Sequence, residues 1–135
     1  MEWILGGALI YLSVCDIKTK EIPSVAAYIV CGGSLIYGGI THGIVLLACS
    51  GIIGAIVCIA ALIWPQIIGL GDGIILISCG AIVGNFYSSI MIFQGALVLS
   101  ALLGIVVILV KKKKNSESIP FIPSITLSYL LWQII

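Results

Sequence analysis

The chain has 135 residues, 61% of them hydrophobic and only 8% charged, with a net charge of +1 and a mean hydropathy of +1.33. A soluble domain carries charge on roughly a quarter of its residues, so this composition excludes one and points to an integral membrane protein in contact with lipid. The net charge argues neither way on a nucleic-acid partner, and none is expected.

Six apolar segments follow in chain order, at 3–15, 24–40, 43–64, 73–86, 90–110 and 119–135. A spanning helix takes about 20 apolar residues. The sequence therefore predicts an all-α, polytopic protein of six transmembrane helices, as one domain over 1–135. The first and fourth segments are short for a full span. Pro23, Pro65 and Pro120 mark segment boundaries, where helices start or stop. "GNFYSS" at 84–89 reads as the turn between the fourth and fifth segments. The N-terminal "LSVC" ending at Cys15 is not read as a lipoprotein box, because Val14 precedes the cysteine and Met1-Glu2 gives no basic leader.

The lysines orient these spans. Alternation groups the connections 16–23, 65–72 and 111–118 on one side. Together they hold all six lysines, Lys18, Lys20 and Lys111 to Lys114, and the chain has no arginine. The positive-inside rule assigns that side to the cytoplasm and both termini to the outside of the plasma (inner) membrane. The Lys111 to Lys114 run reads as a topology signal facing anionic lipid. Asp16, Asp72, Glu21 and Glu117 fall on the same side, and only Glu2 lies outside. The second and third spans form a hairpin, so Asp16 and Asp72 return to one membrane depth. "GAIVG" at 80–84, with Gly51, Gly54, Ala55 and Cys58, provides small residues for close helix packing. A dimer face is the alternative reading, and the oligomeric state stays open.

Elimination narrows the chemistry. Cys15, Cys31, Cys49, Cys58 and Cys79 form no CxxC pair and read as small apolar helix residues. No HExxH and no GxxxxGK[ST] occurs, so no metal or cofactor is expected. The single histidine, His42, has no nucleophile beside it and reads as an outer loop residue. What remains is the aspartate pair near the hydrocarbon, where an ionisable group is costly and marks a functional candidate. Two carboxylates sharing one proton can activate water and polarise a carbonyl. The plainer reading is that each aspartate caps a helix or faces the interface. Glycines in "GLGDG" around Asp72 leave space for another strand or helix.

These residues resemble a known family. "GLGD" at 69–72 is similar to the GxGD signature of intramembrane aspartyl proteases. "DIKTKEIPS" at 16–24 resembles the D-[aliphatic]-[basic]-xxx-IPN stretch of type IV prepilin peptidases, and "IPFIPSITL" at 119–127 resembles the PFxP start of their last helix. The resemblance covers nearly the whole chain. It implies an aspartic endopeptidase that removes the basic leader from prepilin or pseudopilin substrates, at the cytoplasmic face, just before their hydrophobic helix. It implies Asp16 and Asp72 as the catalytic pair, with Gly69, Gly71, Gly73 and Pro23 shaping the substrate site. Two positions depart from the pattern: Ser24 stands where the family usually has Asn, and Ile74 where it has the Lys of GxGDxK. The chain lacks the cysteine-rich insert of longer, methylating members and looks like the compact Flp/Tad type, so no methyl transfer is expected. Within the pair, helix dipoles suggest Asp72 as the base and Asp16 as the holder of the shared proton. The rival reading is a small transport or scaffold component whose aspartates bind a cation or relay protons, or a lapsed family member.

Overall fold

A computed structural model describes residues 2–19, 24–65, 69–111 and 121–135. All regular structure among them is helical: α1 (Glu2–Thr19), α2 (Ser24–Thr41), α3 (Ile44–Ile63), α4 (Leu70–Val83), α5 (Phe86–Lys111) and α6 (Ile122–Ile134). Each expected apolar segment is one helix. Of these, α2, α3 and α5 are long and apolar enough to cross a membrane. The 18 residues of α1 include Glu2, Asp16 and Lys18, while α4 has 14 residues and α6 has 13.

Backbone chemistry sets the ends. Gly43 opens α3 with φ 82° and ψ 163°, a conformation that is essentially glycine-only. Gly84 closes α4 in the left-handed region, φ 64°, and its N–H donates to the Gly80 carbonyl. The turn expected over 84–89 is shorter than the sequence suggested. Asn85 Oδ1 accepts the Tyr87 N–H at 3.1 Å, which caps α5 and makes Phe86 to Ser89 helical. The fourth helix likewise begins and ends three residues earlier than its apolar run, because it starts on Gly69 and stops at Gly84.

The burial pattern suits lipid. Large apolar side chains on the long helices face outward, for instance Ile40 at 80%, Ile44 at 81% and Val110 at 75% exposure. The interior joins Leu5, Leu9 and Leu12 of α1 to Ile75, Leu76 and Cys79 of α4, Ile92 of α5, and Ile122, Ile125 and Tyr129 of α6. Most of α4 is enclosed, chiefly by α3 and α2. Glycines permit that enclosure. A Cβ at Gly38 would strike the Ala81 carbonyl, one at Gly54 would strike Ile77, one at Gly73 would strike Cys58, and one at Gly80 would strike the Ser50 carbonyl. α6 is tied to α1 by Thr126 Oγ1, which donates to the carbonyls of Ile122 and Leu9, and by Tyr129 Oη, which donates to the Glu2 carbonyl at 3.3 Å.

This packing separates two glycines that look alike in sequence. A Cβ at Gly51 meets nothing within 4 Å, whereas at Gly80 it meets backbone. Gly80→Ala is expected to lower the melting temperature of the detergent-solubilised protein, with an overpacking cost of about 1–3 kcal/mol. Gly51→Ala is expected to leave it unchanged or raise it, through helix propensity. Equal effects in thermal melts would contradict the α3–α4 contact.

Candidate active site

Asp16 lies in the last turn of α1 and Asp72 in the first turn of α4. The two helices bring the carboxylates close enough for the charge of Asp16 to act on Asp72. Both lie outside the three helices of lipid-spanning length.

Each carboxylate accepts a backbone N–H from a helix start. Asp72 accepts from Gly69, the residue that caps its own helix, while the Asp72 N–H donates to the Gly69 carbonyl at 3.2 Å. This is the carboxylate half of a capping box. Gly69 has φ −80°, so its backbone does not require glycine. Space does: a Cβ there would approach Asp72 Oδ2 to 3.3 Å. Asp16 accepts from Ile122, the first residue of α6. The last turn of one helix therefore supplies the anion at the start of another, where the dipole favours it. This donor is absent from the sequence reading. Its only signal is Pro123, in the first turn of α6.

The electrostatics are asymmetric. Burial raises Asp16 above the usual carboxylate value, and the Ile122 N–H opposes that rise. Asp72 is raised to about 6, first by burial and then by the charge of Asp16, with the Gly69 N–H opposing. Asp16 exposes only 8% of its surface and Asp72 somewhat more. The start of α4 does favour the Asp72 anion, but burial and the neighbouring charge outweigh it, and Asp16 has a helix start of its own.

The site is recessed. Gly73 is buried against Cys58 of α3, and α3 continues to Ile63. That is five residues further, about 7 Å at 1.5 Å per residue. Gly71 lines a small pocket shared with the first turn of α2. Pro23 lies outside the described residues. His42 is at the opposite end of α4, its Nε2 3.0 Å from the Ile82 carbonyl and its ring over Gly84. It ties α2 to α4 and takes no part in the aspartate site. No group of three or more potential metal ligands occurs among the described residues.

A family model described as the type IV leader peptidase family matches residues 3–109. The chain belongs to the type IV leader peptidase family. The match includes both aspartates and the GLGD stretch, and it stops before α6. No curated protein and no solved structure matches the chain. Membership supports a prepilin-type peptidase in general, and the apolar helices agree with a membrane setting.

The raised Asp72 value has a stability consequence in this family member. A carboxyl raised from 3.8 to about 6 on folding favours the folded state most below 3.8, and that contribution is lost as pH rises through about 6. Asp72→Asn removes the penalty that applies above 6. The variant is expected to melt higher than wild type at pH 7.5, and the difference should shrink as pH falls below 5. A variant that melts lower than wild type at pH 7.5 would count against a buried, charge-coupled Asp72.

Proposed function

We propose that the protein is a membrane aspartic endopeptidase that removes the basic leader from a prepilin-like substrate, just before the substrate's hydrophobic helix. The observation that supports this most is the pairing of Asp16 with Asp72 at one end of the bundle, inside a chain that belongs to a leader peptidase family. A cation-binding or proton-relaying role needs no such recess beside a pocket. In this reading the recess lets a peptide bond at the membrane boundary reach both carboxylates away from bulk water.

The roles follow the asymmetry of the pair. Asp16, whose carboxylate accepts the Ile122 N–H at the start of α6, takes a proton from water as the water oxygen adds to the scissile carbonyl carbon. Asp72, protonated, gives its proton to the carbonyl oxygen. Collapse of the tetrahedral intermediate breaks the C–N bond. Asp16 then passes its proton to the leaving amine, and the new acid returns one to Asp72. The pair ends as it began, with one shared proton. The lysine distribution supports a cytoplasmic site with six spans and both termini outside. Asp16, Asp72, Gly69 and Gly71 are the residues assigned to the site, with Gly73 and Pro23 supporting it.

The test is cleavage of a synthetic prepilin-like peptide by the purified, detergent-solubilised chain. Asp16→Asn and Asp72→Asn should each lower kcat/KM by on the order of 10³-fold or more, and the double variant should be no worse, because the two act as a unit. Glu21→Gln and Glu117→Gln should retain most activity. Because Asp72 must hold its proton, kcat/KM should fall as pH rises through about 6. Near-wild-type cleavage by either Asp→Asn variant, or a flat profile from pH 5 to 8, would sink the dyad mechanism.

A further inference from the structure

Ser13 lies one turn inward of Asp16 on α1, and both are buried, at 9% and 8% exposure. Residues three apart on a helix share a face, and helical side chains lean toward the N-terminus. The Asp16 carboxylate therefore leans over the turn that carries Ser13. α6 meets this face of α1 on both sides of Ser13. The Ile122 N–H reaches Asp16 on one side, and Thr126 Oγ1 reaches the Leu9 carbonyl at 3.3 Å on the other.

Other buried hydroxyls are satisfied by their own helix. Ser34, Ser78 and Ser89 each donate to the carbonyl four residues back, at 2.7, 2.9 and 3.0 Å. Ser13 is denied that partner. The carbonyl four residues before it is that of Leu9, which accepts the Ser13 N–H within α1 and the Thr126 hydroxyl from α6. A carbonyl oxygen has two lone pairs, and both are engaged. Among the described residues the Ser13 hydroxyl has no hydrogen-bond partner. A buried hydroxyl in that state is costly, and alanine is the better helix former. Stability alone therefore gives no reason for a serine here, one turn from a buried acid.

We propose that Ser13 orients the attacking water of peptide hydrolysis from the inner side of Asp16. The proposal rests on the reading of Asp16 and Asp72 as a peptidase dyad. The water donates one hydrogen to Asp16 and the other to Ser13 Oγ, an acceptor as well as a donor. A lone pair on its oxygen is then left to face the scissile carbonyl carbon. As the new C–O bond forms, the first hydrogen passes to Asp16 as a proton. The second stays on the oxygen and ends on the new acid, so Ser13 neither gains nor loses a proton. Its place one turn inward puts the water on the buried side of the pair, while the peptide comes from the rim.

The experiment uses the full chain in detergent micelles and a synthetic peptide with a basic leader and an apolar helix. Ser13→Ala should lower kcat by about 10- to 100-fold, because the water loses one of its two acceptors. KM should stay within about twofold, because the peptide itself loses nothing. The same variant should melt at or above wild type, since it removes an unpaired hydroxyl and favours the helix. Ser13→Thr keeps the hydroxyl and should retain a kcat near wild type. A Ser13→Ala variant with wild-type kcat overturns the proposal, as does a loss confined to KM or one accompanied by a lower melting temperature. Equal losses in the Ala and Thr variants, with both melting like wild type, also overturn it, because they trace the effect to packing. Asp16→Asn and Asp72→Asn are run beside them. If those two are inactive and Ser13→Ala is not, Ser13 alone is excluded. If either cleaves at a rate near wild type, the dyad reading falls and the role of Ser13 falls with it.

Discussion

An ionised carboxylate inside an apolar helix bundle needs donors, and here backbone N–H groups at helix starts provide them. Asp16 takes the first N–H of α6, and Asp72 takes the N–H of Gly69 at the start of α4. Helix starts have unpaired donors in any case, so each carboxylate has a partner that carries no permanent counter-charge. That leaves Asp72 easy to protonate. It also makes the pair depend on how two helices are docked. α6 is fixed to α1 through Thr126 and Tyr129, whose hydroxyls reach backbone carbonyls of α1. α4 is fixed by glycine contacts to α2 and α3. A slip of either helix by one turn would move its N–H by about 5 Å and strip a donor from a buried acid.

The length of α4 follows from the same need. Its 14 residues rise about 21 Å, short of the ~30 Å apolar thickness of a bilayer. A longer helix would carry Asp72 out to the end of α3 and into water. The short helix, stopped by the left-handed Gly84 and held by His42 at its far end, keeps the acid below the rim formed by the end of α3. The lipid-length helices around it carry the contact with hydrocarbon, so α4 can be short without exposing its ends.

Much of this was legible in the sequence, and what was missed has physical causes. The six helices were visible because apolar runs broken by Pro, Gly and charge are strong signals in a membrane protein. The pairing of Asp16 with Asp72 was visible because alternation of spans fixes which ends meet. The limits of α4 were misplaced because hydropathy marks apolar residues, whereas glycine and capping geometry end helices. The start of α5 was missed for a related reason: Phe86 to Ser89 look like a loop until Asn85 is seen to cap them. The partner of Asp16 could not be read at all. It is a main-chain N–H of Ile122, and no side chain advertises it. A dipole argument from each aspartate's own helix leaves out that third helix.

That third helix also bears on what family membership means here. The family match ends at residue 109, yet the donor that favours the Asp16 anion comes from Ile122. The matched region therefore holds both acids but not the backbone donor of Asp16. Without α6, Asp16 would sit at the C-terminal end of α1, where the dipole opposes its charge, with no helix start to favour it. Pro123 in the first turn of α6 sets the backbone there, and Thr126 locks the helix to Leu9 one turn further on. The PFxP-like stretch is thus tied to Asp16 through geometry: it aims one N–H at that carboxylate.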